Sequence, residues 1–520
     1  MKKPVPDSVS AGEGLWPHGF LWLTAAASGA AVMMIEILGA RMLAPFFGAS
    51  HFVWTAQIAL TLAALAAGYY AGGLWADRTA RLDGFFILMA AAAAWLCLTV
   101  WLTAPLAFWA LRFPMAVGSF LTSALLFFFP LAVLAMTTPR LLRIVTVRLE
   151  GVGGNAGRLT ALGTIGSFVG TGIIGYVMVP WVPNSVSMVI TAGIVALPPI
   201  LFCFMGRGRR PQSAIAVGLF VAGACLIGAA TANSKPILTS RWQTLFQTES
   251  FFGRLQVLQD TENTRRLLLN DLLIQNTYDP QEKKSISLFT YMLHGLARAY
   301  HADIQDVLCI GLGVGIVPMQ FAGEGARVDV VEINPAVVPI ARQYFDCDPS
   351  RFRLQIDDAR HYLNRVQGQY DVVILDAFLG DAPPSHLMTR EALAAMRRVL
   401  RPNGVLVVNS FGELPPLGDF FRDSLGKTLE NVFAQVRLHA TGNGNLFFVA
   451  SCQPSSMSGW RPASESIHPY CQDQVEEAFG SERSYYADKG IVLSDDFNPV
   501  EFYDARSRED LRRRLVLGSL

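Results

Sequence analysis

Four clusters of polar residues, each at the end of an apolar run, carry the chemistry available to this chain. The first is the glycine turn in Val307-Leu308-Cys309-Ile310-Gly311-Leu312-Gly313-Val314-Gly315. Seventeen residues past its last glycine, Val328-Asp329-Val330-Val331 ends in Glu332, and Asp357-Asp358 and Asp376 close the next two runs. Glycines admit a ligand close to the backbone, and an acid at the end of the following run can accept from both hydroxyls of a ribose, so the first two clusters suit a nucleoside. Asp358 suits the exocyclic amine of adenine, with a helix N-cap as its plainer alternative. Asp376 stands where a reacting group can be deprotonated.

Such residues need a frame. Apolar runs at 306–311, 327–333, 352–356, 370–376 and 403–410 alternate with helical stretches. This βα repeat predicts a mostly parallel sheet with ligands at the carboxyl ends of its strands. Ahead of it, 252–258 and 266–269 read as short strands around a turn, a small β element.

The stretch from about Ser250 to Phe411 resembles the spermidine synthase family of polyamine aminopropyltransferases, and the apolar spans before it resemble the bacterial variants fused to a membrane domain. The resemblance is carried by Leu269-Asn270-Asp271-Leu272-Leu273-Ile274-Gln275, the glycine turn, Glu332, Asp358 and Tyr370-Asp371-Val372-Val373-Ile374-Leu375-Asp376. It implies a multi-pass α-helical membrane domain (1–231), a linker with the small β element (232–300), and a Rossmann-like domain of the class I methyltransferase type (301–520). It also implies an S-adenosyl co-substrate, decarboxylated S-adenosylmethionine or S-adenosylmethionine, with no metal. Gln275, Gly311, Gly313, Gly315 and Asp357 would then surround the cofactor, Glu332 the ribose and Asp358 the adenine. Asp376 would free an amine nucleophile. The implied partners are a small amine acceptor, the lipid bilayer, no nucleic acid, and a second copy in a homodimer.

The departures from the family pattern gather at one end of the implied site. Val314 stands where the family carries an acid near the cofactor's amino group. Phe289-Thr290-Tyr291-Met292-Leu293 replaces Tyr-His-Glu-Met-Leu, and the second acid of the catalytic loop falls on Leu379, with Asp381 displaced by two. All touch the aminopropyl and polyamine end. An S-adenosylmethionine-dependent methyltransferase is therefore the second reading, and a polyamine or nucleoside transporter or sensor with a non-catalytic binding domain the third. Three further residues are candidate substrate contacts: Tyr291, which either lines the acceptor pocket or packs its helix, Asp381, and His386 on the Pro383-Pro384 loop. An acidic turn, Ser494 to Glu501, either holds an amine or forms an Asx turn. Residues 506–514 mix both charges and read as an exposed helix.

The first half is a different material. The chain is 52% apolar with mean hydropathy +0.35, high for a single soluble protein. Residues 1–231 hold 13 Lys+Arg and 6 Asp+Glu, against 29 and 35 in 232–520. Neither half is basic enough for nucleic acid. The seven cysteines include no Cys-x-x-Cys pair, and Cys97, Cys203 and Cys225 sit in apolar runs as packing residues, which argues against a zinc site or a disulfide framework.

Runs of bilayer length, roughly 20 residues, fall at 20–40, 53–75, 84–104, 117–137, 160–181, 185–205 and 213–231. Small residues such as those at 62–68 allow close helix approach. The first span holds Glu36, with Arg41 five residues on; an acid at that depth is either half of a polar pair or faces a polar cavity. Gly72-Gly73-Leu74-Trp75-Ala76-Asp77-Arg78 resembles the loop that major facilitator transporters place on the cytoplasmic side after their second helix. Lys2, Lys3, Arg78, Arg81, Arg140, Arg143, Arg148, Arg158, Arg207, Arg209 and Arg210 fall on one side, against Arg41 and Arg112. This bias puts the N-terminus in the cytoplasm of a cell-membrane protein. Seven spans would then put the second half outside, away from a cytosolic cofactor, so its side stays open.

Overall fold

The computed structural model describes residues 17–48, 51–146, 151–205, 241–271, 273–378, 384–414, 418–440 and 444–499. They fall into two units, Met1–Pro236 and Ile237–Leu520.

Among the described residues of the first unit, six helices are long and apolar enough to cross a membrane: His18–Phe47, Phe52–Arg78, Asp83–Ala110, Met115–Val145, Val152–Met178 and Asn184–Met205. They correspond to the first six expected spans. The seventh, 213–231, lies outside the described residues, as do Lys2, Lys3, Arg148, Arg207, Arg209 and Arg210 of the charge bias. Small residues let backbones touch. A methyl group on Gly166 would sit 2.0 Å from the carbonyl oxygen of Ala26, and one on Gly170 2.6 Å from that of Ala30. Ser167 Oγ donates to the Gly29 carbonyl at 3.0 Å across the same contact.

The Gly72–Arg78 motif forms the end of the second helix. The buried Arg140 guanidinium donates to the carbonyls of Trp75 (3.0 Å), Thr79 (2.7 Å) and Arg81 and lies 4.5 Å above the Trp75 ring, so it ties the helix end to the turn that follows it. Glu36 and Arg41 belong to one continuous helix. Five residues turn about 140° at 3.6 residues per turn, so the helix does not bring the expected pair onto one face; Glu36 lies beside Thr61 of the next helix.

The second unit opens with an antiparallel sheet of β1 (Trp242–Ser250), β2 (Gly253–Asp260), β3 (Arg266–Asn270), β4 (Leu273–Asp279) and β5 (Lys284–Ser285), paired in that order. The second sheet holds β6 (Asp306–Ile310), β7 (Arg327–Glu332), β8 (Arg353–Ile356), β9 (Tyr370–Leu375), β10 (Leu400–Phe411), β11 (Gln435–Ala440), β12 (Asn445–Ser451) and β13 (Glu482–Arg483). Their order is β13-β11-β12-β10-β9-β6-β7-β8. The segment β8 to β10 is parallel, and β12 runs antiparallel between β10 and β11. This is the mostly parallel sheet that the βα repeat predicts, in the Rossmann-like form that the family resemblance implies.

Side chains alternate strictly. Val307, Cys309, Val372, Ile374, Val405 and Val407 face one apolar layer with the helices Leu288–Tyr300 and Ile316–Gly323. Leu308, Ile310, Val373, Leu375, Leu406 and Val408 face the other, with Arg390–Val399 and Phe420–Val432. Burial on both faces is why these strands read as continuous apolar runs. The chain leaves β6 first toward β7 and β8, then returns to β9 on its other side, so the crevice opens above the carboxyl ends of β6, β7 and β9.

Candidate active site

A cavity of about 460 Å³ sits in that crevice. Gln275, Gly311, Gly313, Glu332, Asp357, Asp358, Asp376 and His386 all line it, although they come from six separate stretches of sequence.

The turn after β6 needs its glycines for different reasons. Gly311 has φ +100°, and a Cβ there would meet the carbonyl oxygen of Asp376 at 2.1 Å. Gly315, at φ +85°, would meet Cys347 Sγ at 2.3 Å and does not line the cavity; it begins the helix Ile316–Gly323 rather than facing a ligand.

Glu332 ends β7 and is buried. Its Oε2 accepts from Leu312 N at 2.9 Å and its Oε1 from Asn334 N at 2.8 Å. Burial raises its carboxyl above the usual range, with those backbone donors working against the rise. Each oxygen keeps lone-pair capacity for a further donor, the requirement for a diol.

Asp358 takes the plainer of its expected roles, the helix N-cap, and turns its other oxygen to His386. Oδ1 caps the helix Ala359–Arg365 by accepting from Arg360 N (2.8 Å) and His361 N (3.1 Å), while Oδ2 lies 3.1 Å from His386 Nε2. Asp357 is engaged by its neighbour: His361 Nδ1 lies 2.8 Å from its Oδ1, and that hydrogen bond holds its carboxyl below the usual range.

Asp376 follows β9. It is reachable from the cavity yet lies deep in the unit, and burial pushes its carboxyl up to about 6. Asn409 Nδ2 donates to its Oδ1 at 2.9 Å, and Asn445 Nδ2 donates to Asn409 Oδ1 at 3.2 Å. The second bond orients the first, because an amide whose oxygen is taken by Asn445 must turn its NH₂ toward Asp376. Neither asparagine was singled out in the sequence. Asn409 stands at the end of β10, a strand-end signal of the same kind as the others, whereas Asn445 begins an antiparallel strand that the βα repeat does not announce. Asn270 and Asn276 also line the cavity, each with a buried Oδ1 lacking a partner.

One of the expected substrate contacts falls elsewhere. Tyr291 packs: its hydroxyl donates to Ser285 O at 2.7 Å and accepts from His468 N at 3.1 Å, which consumes it below the cavity. Asp381 lies outside the described residues, as do 506–514. The acidic turn is structural where described, since Asp495 accepts from Arg360 Nη2 (2.7 Å) and Thr389 Oγ1 (2.6 Å). Val314 is buried among the apolar residues of the core.

The comparisons with known proteins point to the same region. Residues 287–441 match the family model described as the spermine/spermidine synthase domain. A polyamine aminopropyltransferase of Vibrio vulnificus is 42% identical over 140 residues, covering 26% of this chain and 46% of that protein. An N-terminal histidine N-methyltransferase of Emericella nidulans is 32% identical over 151 residues, covering 28% and 26%. The chain thus spans less than half the length of these two curated relatives. A solved structure of a probable spermidine synthase from Corynebacterium glutamicum aligns over 55% of this chain and 95% of its own at 19% identity, with a TM-score of 0.38.

Proposed function

We propose, because residues 287–441 match the family model of the spermine/spermidine synthase domain, that the protein transfers an aminopropyl group from decarboxylated S-adenosylmethionine to an amine, anchored to a membrane by its helical unit. The observation that carries this reading is the charge of the cavity. Glu332, Asp357, Asp358 and Asp376 line it, with no Lys or Arg among the described lining residues. A sulfonium whose tail ends in an ammonium near Asp376 suits such walls; a donor that keeps its carboxylate would bring like charge to that acid.

Glu332 would hold the ribose, and Asp358 with Gln275 would border the base. The acceptor nitrogen attacks the methylene carbon beside the sulfonium, the carbon–sulfur bond breaks, and its electron pair neutralises the sulfur to give methylthioadenosine. The nitrogen's surplus proton passes to Asp376. A sulfonium is a good leaving group, so positioning an unprotonated amine in a water-poor site is most of the task. Incubating the purified protein with the decarboxylated donor and a panel of amines tests this: methylthioadenosine should form, and its absence with every amine would sink the reading. Val314 favours a second reading, methyl transfer from S-adenosylmethionine, whose signature is S-adenosylhomocysteine.

A further inference from the structure

The helical unit contains polar side chains that its packing does not use. Gln57 is 0% exposed, and neither its Oε1 nor its Nε2 has a hydrogen-bond partner. Ser123 is also 0% exposed with an unpartnered Oγ. In an apolar interior such groups are costly and are normally matched, by protein, water or a ligand.

Their placement is ordered. The Gln57 amide lies against Gly39 of the first helix, where a Cβ would come within 2.7 Å of Nε2. Glu36 stands one turn from Gly39 and lies beside Thr61, whose Oγ1 donates to the Gln57 carbonyl one turn back at 2.9 Å. The second and fourth helices run in parallel register: Gly68 meets Ala132 and Gly72 meets Met136, an offset of 64 residues. That offset carries Gln57 to the level of residue 121 and Thr61 to that of residue 125, so Ser123 shares their level, but the nine residues from Ala132 turn it about 180° from the face that meets the second helix. Two helices therefore supply one polar layer of Glu36, Gln57 and Thr61.

We propose that this layer is a binding site for a protonated alkylamine, with Glu36 as counter-charge and Gln57 and Thr61 as hydrogen-bonding groups. Among the described residues Glu36 is the one carboxylate set in the interior of a candidate span; Asp77 and Asp83 stand at span ends. A carboxylate at that depth calls for a cation, and Arg41 on the same helix turns to another face. An ammonium brings three N–H donors to a carboxylate, an amide oxygen and a hydroxyl. The glycine at position 39 leaves the amide room where any larger residue would displace it. The site is independent of the transfer reaction, since every group in it belongs to the helical unit.

The test uses the full-length protein in lipid nanodiscs with Asp376→Asn as background, so that amine held at the transfer site is separated from amine held in the helices. Saturable binding of radiolabelled methylammonium or putrescine should fall at least tenfold in both Glu36→Gln and Gln57→Leu, each checked for a native gel-filtration profile. Amine should also raise the Tm of the background protein and leave that of Gln57→Leu unmoved. Undiminished binding in Glu36→Gln, no saturable binding at all, or a Gln57→Leu protein that is more stable and still responds to amine would overturn the proposal and return Gln57 to a packing role.

Discussion

Glu332 and Asp376 end the two strands that flank β6, and both carboxyls are raised by burial. What differs is who holds them. Glu332 accepts from two backbone N–H groups, fixed by the glycine turn and by its own loop; Asp376 accepts from one side-chain amide, itself oriented by a second. A carboxylate tied to the main chain is an anchor, whereas one held by a side chain, with spare lone pairs and a carboxyl near 6, is ready to take up a proton. The contrast assigns binding to one acid and chemistry to the other.

Removing the base should break the contrast most severely. Asp376→Asn is expected to lower turnover by about 10²–10⁴-fold, the usual worth of a positioned base, with donor affinity nearly kept; single-turnover rates beside donor titration measure both. The same change should stabilise the fold. The folded carboxyl lies above its ordinary value, so its contribution is fully present at low pH and is lost as pH rises through about 6. Asparagine cannot ionise, and Asp376→Asn should show a higher Tm than the parent at pH 7, a gap that closes toward pH 4.

Glu332→Gln should act in the opposite sense. It turns one carboxylate oxygen into an NH₂ facing a backbone donor, and an expected loss of about 10–100-fold in donor affinity follows from one or two charge-assisted hydrogen bonds, with a smaller change in kcat. A loss confined to kcat would reverse the two roles. Asn409→Leu sharpens the comparison further. The amide donation lowers the Asp376 carboxyl, so without it the acidic limb of the pH–rate profile should move upward from about 6 and turnover at pH 7 should drop, by roughly tenfold for one lost hydrogen bond to a charged group. An unmoved limb would make Asn409 structural. His386→Ala, which removes a half-exposed partner of Asp358, should change the donor KM only a few-fold.

Much of this site could be read in the sequence because parallel strands buried on both faces write themselves as apolar runs, and their polar ends then stand out: Glu332, Asp358 and Asp376 are such ends. The antiparallel parts were harder. β1 and β4 mix Gln, Thr and Asn with apolar residues, so they look like loops until paired, and with β4 went the cavity role of Asn276. Asn445 went unnoticed because it opens β12, an antiparallel strand that follows the repeat. Tyr291 was ambiguous because a buried aromatic at helical spacing reads the same whether its hydroxyl meets a ligand or, as here, Ser285. In the helical unit Glu36 was visible as a charge in an apolar run, while Gln57 became notable only when its neighbours were known to leave it unpaired.

The most direct test of the contrast is a calorimetric titration of the purified protein with decarboxylated S-adenosylmethionine and, separately, S-adenosylmethionine. A cavity walled by four carboxylates, with no Lys or Arg among its described lining residues, should bind the decarboxylated donor at least tenfold more tightly, and Glu332→Gln should weaken it far more than Asp376→Asn. Equal or tighter binding of S-adenosylmethionine would contradict the assignment and hand the site to methyl transfer.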